Sequence, residues 1–103
     1  MPYTVELSPA AARQLKKLPE NICAAVARRI DILADVPRPT GCEKLAGYPD
    51  LYRVRVGDHA IVYGVSDRLV LVLVLKVGSR GEVYDRIRKE DLSFLRKLLE
   101  DRR

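Results

Sequence analysis

Hydrophobic positions along this chain follow two periods. Residues 3–7, Tyr-Thr-Val-Glu-Leu, alternate and are rich in β-formers, which predicts a short strand. Ser8 then offers an N-cap with Pro9 at the first helical position. Ala11, Leu15 and Leu18 fall on one helical face, and Pro19 ends that helix. Ile22, Val26, Ile30 and Leu33 form the stripe of a second helix predicted over 20–34. Two prolines and a glycine mark 35–41 as a loop.

Beyond the loop the period becomes two. Residues 52–56, Tyr-Arg-Val-Arg-Val, predict a strand; Gly57-Asp58 is a turn, and 59–65 its antiparallel partner. Ser66-Asp67 makes the next turn. Residues 68–77 are apolar on both faces, as a central strand covered on two sides requires, and Gly78 is expected to break it. Residues 82–87 suit a short extended segment. A terminal helix fits 89–103, with Leu92, Leu95 and Leu99 on one face and acids at its start. The order β-α-α-β-β-β-α predicts an α+β fold of two layers: an N-terminal strand and helical hairpin packed on an antiparallel β-sheet. At 103 residues the chain is long enough for one domain, 1–103, and too short for two.

Charge adds a partner class. Lysines and arginines outnumber acids 19 to 14, and the net charge of +5 favours an acidic partner such as nucleic acid. Cys23 and Cys42 show no metal spacing and read as reduced thiols. The N-terminal residues have no secretory pattern, and the longest apolar run, 69–75, is too short to span a bilayer as a helix. A cytoplasmic protein with no membrane partner is expected.

The chemistry open to the chain is narrow. His59 is the only histidine, so neither a histidine metal cluster nor a histidine acid–base pair exists. No phosphate-binding glycine loop, dinucleotide fingerprint or nucleophile elbow occurs; no metal or cofactor is expected. Arg53 and Arg55 share a strand face about 7 Å apart, a spacing that suits neighbouring phosphates. Arg80 follows the central strand, and Tyr84, four residues on, is placed to stack on a base. Each has a plainer reading: alternate arginines as a solvated strand face, Tyr84 as packing, Arg80 as a partner for Glu82, and His59 as a surface strand residue.

Taken together, residues 3–19, 44–63 ("KLAGYPDLYRVRVGDHAIVY") and 72–84 ("VLVLKVGSRGEVY") resemble the RelE branch of the RelE/ParE toxin superfamily of bacterial type II toxin–antitoxin systems. That resemblance implies a RelE-like fold and a ribosome-dependent messenger-RNA endonuclease. It would cut A-site codons by 2′-hydroxyl attack on the adjacent phosphate. It implies a cognate RelB-like antitoxin, and operator DNA bound through that antitoxin. Residue by residue, the family's basic strand pair falls on Arg53 and Arg55, its arginine after the central strand on Arg80, and its tyrosine on Tyr84. These four are the catalytic candidates; Lys44 and Lys76 join Arg53, Arg55 and Arg80 as RNA-binding candidates. One position departs: Ala60 stands where the family usually carries an arginine. An attenuated or inactive enzyme is therefore expected. A ParE-like poison of DNA gyrase and a non-catalytic corepressor that only binds antitoxin remain as alternatives.

Overall fold

The computed structural model describes residues 2–45, 50–79 and 96. Strand β1 (Thr4–Leu7) leads into helix α1 (Pro9–Lys16) and helix α2 (Glu20–Asp35). Strands β2 (Glu43–Lys44), β3 (Leu51–Val56), β4 (His59–Ser66) and β5 (Leu71–Ser79) follow. The sheet runs in the order β1-β5-β4-β3-β2. It is antiparallel from β2 to β5, and β1 adds at the far edge, parallel to β5. The N-terminal strand is thus part of the sheet, and the helical hairpin alone forms the second layer.

Local chemistry accounts for the helices. Ser8 caps α1, its Oγ accepting from the Ala11 amide at 3.0 Å, with Pro9 at the start of the helix. α1 ends at Lys16, two residues before the expected Leu18, because the amides of Lys17 and Leu18 bond back three residues to Gln14 and Leu15 in a tightened last turn. α2 starts directly after Pro19 and turns Val26, Ile30 and Leu33 inward, the predicted stripe. On the sheet, Val54, Ile61, Tyr63, Val65, Val72, Val74 and Val77 meet these helices in one core. The Tyr63 hydroxyl donates to the Pro37 carbonyl at 2.8 Å, so the buried phenol is satisfied, and burial raises its pKa well above the usual tyrosine value.

One irregularity decides what the other sheet face carries. Val62 is level with Lys76, whereas the next residue, Tyr63, is level with Val74, so Leu75 is an extra residue in β5. This bulge reverses the alternation: Val72 and Val74 face the helices before it, Val77 after it, and Lys76 is turned to the opposite face. α1 holds the bulge from both sides. Ser8 Oγ donates to the Leu75 carbonyl at 3.0 Å, and the Val77 amide donates to Gln14 Oε1 at 2.8 Å.

Both boundaries of β5 differ from the sequence expectation. β5 begins at Leu71 rather than residue 68, since Val70 takes a left-handed turn conformation at φ 52°. It also runs through Gly78 to Ser79, with Gly78 level with Ala60. The expected segment 82–87 and terminal helix 89–103 lie outside the described residues, apart from Arg96, which is helical.

Candidate functional site

The sheet face away from the helices gathers the basic residues of the central strands. Alternation in β3 puts Tyr52, Val54 and Val56 against the helical layer, and therefore Arg53 and Arg55 on the opposite face. There Arg53 is level with Glu43 on one side and Val62 on the other, and Val62 is level with Lys76. Arg55 is level with Ala60, which is level with Gly78. Ala60 and Val62, with Leu45 against them, make an apolar floor beneath these polar groups.

Glu43 organises the arginines. Its Oε2 lies 2.8 Å from Arg53 Nη2 and its Oε1 3.6 Å from Arg55 Nη2. The Arg53 side chain is 14% exposed and that of Arg55 49%, so one guanidinium is packed along the sheet and the other reaches solvent. Lys76 is only 7% exposed. Among the described residues, Arg53, Arg55 and Lys76 surround Glu43 here, which gives this patch a net positive charge. A guanidinium pair of this kind matches the oxygens of a phosphodiester and stabilises negative charge that develops on them.

The other sequence candidates separate clearly. Lys44 is level with Tyr52 in β3, so it sits at the sheet edge on the side opposite Arg53 and Arg55. Arg80 and Tyr84 lie outside the described residues. His59 is level with Val56 and lines a cavity of about 290 Å³ with Asn21, Ile22 and Ala25 at the start of α2, away from the arginine face. Ala60 is on that face, beside Arg55, and contributes a methyl group there. Sequence reasoning missed Glu43. In "GCEKLAG" it looks like an ordinary loop charge, and only the two-residue strand β2 brings it against both arginines.

A second polar cluster ties the loop after α2 to the β4–β5 turn. Arg38 donates from Nη1 and Nη2 to the two Asp67 oxygens at 3.1 and 3.0 Å and from Nε to the Tyr52 hydroxyl at 2.9 Å. Tyr3 donates to Asp67 Oδ1 at 2.7 Å. The Arg38 and Tyr3 hydrogen bonds hold the Asp67 carboxyl below its usual pKa, and the Asp67 carboxylate pushes the Tyr3 phenol up. These groups surround the opposite end of the fold from Ala60 and serve as a clamp.

Comparison with known proteins places this architecture. Residues 5–84 match the family described as ParE toxin of type II toxin–antitoxin system, parDE. The chain is 32% identical over 87 residues to Toxin RelG of Mycobacterium tuberculosis, an alignment spanning 84% of this chain and all of that one. Among solved structures it resembles the toxin–antitoxin complex RelBE2 from M. tuberculosis, with TM-score 0.70, 30% identity, and coverage of 78% of this chain and 100% of that one. It also resembles a mutant of E. coli toxin RelE in the free state, with TM-score 0.69, 28% identity, and coverage of 82% and 92%.

Proposed function

Because the chain belongs to the RelE branch of the RelE/ParE superfamily of type II toxin–antitoxin toxins, we propose that it is a messenger-RNA endonuclease acting in the ribosomal A site. The observation that carries this reading is the Arg53–Arg55 pair, side by side on one positively charged sheet face. Arginine does not release its proton at physiological pH, so the pair acts electrostatically, stabilising the pentavalent phosphorane as the 2′-oxygen attacks. Arg80 would hold the phosphate or the leaving 5′-oxygen, and Tyr84 would stack on a base. The products are a 2′,3′-cyclic phosphate and a 5′-hydroxyl. The net charge of +5 suits an RNA substrate.

Ala60 makes this a weakened enzyme. It lies beside Arg55 where another guanidinium would complete the phosphate site, and a methyl group stabilises no charge. The partner is a cognate RelB-like antitoxin, consistent with the RelB-containing complexes among the similar structures. Repression of operator DNA runs through that antitoxin, and the toxin works in the cytoplasm.

Primer extension on messenger bound to ribosomes tests the reading. Cleavage within the A-site codon, with cyclic phosphate at the new 3′ end, is the expected result. Intact messenger together with gyrase–DNA adducts would replace it with the ParE-like alternative. Antitoxin binding without either activity would leave the corepressor.

A further inference from the structure

Glu43, Arg53, Val62 and Lys76 form one transverse row across β2, β3, β4 and β5. Neighbouring strands are about 4.8 Å apart, which puts the two ends of the row roughly 14 Å apart at the backbone. Glu43 extends onto the face from one end and Lys76 from the other, with the Arg53 guanidinium between them. Lys76 is there only because the Leu75 bulge turns it away from the helices.

The position of Lys76 suits an anionic ligand. It is 7% exposed. Among the described residues no carboxylate pairs with it and no hydrogen-bond acceptor meets it. The stem lies buried along the sheet, and the ammonium at its tip can meet an anionic group brought to this face. Glu43, in contrast, is 48% exposed at the side chain and already rests on the arginines that would receive a phosphate.

The reaction itself needs proton exchange that the arginines do not provide. An in-line displacement puts the entering and departing oxygens on opposite sides of phosphorus. Its base and acid must therefore flank the group that binds the equatorial oxygens. Resting on the endonuclease reading above, we propose that Glu43 is the general base and Lys76 the general acid of RNA cleavage. As the bond from O2′ to phosphorus forms, the 2′-hydroxyl proton passes to the Glu43 carboxylate. As the bond from phosphorus to O5′ breaks, the Lys76 ammonium gives its proton to the departing oxygen. Proton transfer through solvent from Glu43 to Lys76 resets the site, so no other reactant is consumed. Arg53, between them, faces the oxygens that gain charge.

A change of leaving atom tests the assignment. Programmed ribosomes receive ordinary messenger or messenger with one bridging 5′-sulfur at the scissile position. A thiolate departs without a proton, since a thiol has a pKa near 8.5, far below that of an alcohol. On ordinary messenger, Glu43→Gln and Lys76→Met each slow cleavage by about 10²–10⁴-fold. On the sulfur substrate, Lys76→Met recovers to within about tenfold of the wild type, a tenth of its smallest expected loss, while Glu43→Gln does not. Lys76→Arg keeps the charge but not the transferable proton and stays as slow as Lys76→Met on ordinary messenger. Lys76→Gln repeats the measurement should the methionine form not fold. Faster or unchanged cutting by Glu43→Gln, or a Lys76→Met defect that persists with sulfur, overturns the assignment while leaving the endonuclease intact. No cutting of messenger by the wild type and by Ala60→Arg alike removes the endonuclease reading and this assignment together.

Discussion

Arg55 and Ala60 are direct cross-strand partners, one on β3 and the other on β4, and both belong to the sheet face away from the helices. On the far side of Ala60 is Gly78, which brings no side chain. An arginine at this position would therefore lie beside Arg55 and above a glycine. Ala60→Arg is expected to raise A-site cleavage by about 10²–10³-fold, the usual worth of one charged donor at a developing oxyanion. The same change sets like charges opposite each other and enlarges a buried side chain, so it should cost about 1–3 kcal/mol of stability. Primer extension and denaturant unfolding on the same preparations check both; a rise in stability without a gain in cutting would reject the attenuation argument.

Arg53 and Arg55 share an acid yet differ in burial, and that difference separates their expected phenotypes. Both substitutions to alanine should lower cleavage by about 10²-fold or more. Arg55 is half exposed, so Arg55→Ala should stay within about 0.5 kcal/mol of wild-type stability. Arg53 is packed at 14% side-chain exposure against Glu43, so Arg53→Ala should also lower the unfolding midpoint. Paired kinetic and unfolding measurements show whether the two losses part in this way.

Much of this was legible in the sequence because local chemistry agrees with the pattern. Ser8-Pro9 starts α1, the 22/26/30/33 stripe forms α2, and Gly57-Asp58 joins β3 to β4. Other features depend on contacts distant in sequence. Nothing in residues 3–7 says that β1 pairs in parallel with β5, since alternation fixes a face and not a neighbour. β2 has two residues, too few to show a period, and Glu43 was hidden with it. Strict alternation from Val72 would place Lys76 in the core; Ser8 and Gln14, some sixty residues away, support the bulge that turns it out.

The Arg38–Asp67–Tyr3 clamp should give stability a pH dependence at both extremes. Asp67 has a folded pKa below its unfolded value near 3.8, so its contribution is present above that value and is lost as pH falls through the lower, folded one. Tyr3 has a folded pKa above 10.0; its contribution is complete below 10.0 and is lost as pH rises through the folded value. Asp67→Asn should therefore be less stable than the wild type at neutral pH. The gap should begin to shrink as pH falls toward 3.8 and close only below the lower, folded value, where the carboxylate is protonated in both states. Unfolding midpoints across pH provide the check, and a gap that widens in acid would contradict the assignment.

Val70 takes φ 52° in the β4–β5 turn and is 40% exposed. A β-branched residue in the left-handed region carries strain of roughly 1–2 kcal/mol, and glycine adopts that region freely. Val70→Gly should stabilise the fold by up to about 1 kcal/mol after the extra freedom glycine gains when unfolded. Its activity should be unchanged, because this turn is at the end of the fold away from Ala60. An equal or lower unfolding midpoint would show that the turn relaxes around valine without strain.

Gln14 connects stability to the candidate chemistry. Its Oε1 accepts from the Val77 amide at 2.8 Å, immediately beyond Lys76 and the bulge residue Leu75. Gln14→Ala leaves that amide without its acceptor, a loss of about 1–3 kcal/mol for a buried donor. Gln14→Glu keeps an acceptor and should lose less. The alanine form should also exchange the Val77 amide hydrogen much faster than the wild type while the amides of α2 stay protected, because the opening is local. If Lys76 is aimed by this bulge, cleavage in Gln14→Ala should fall further than global unfolding explains, measured well below the unfolding midpoint. Cleavage that follows only the folded fraction would mean that Lys76 is held in place without Gln14.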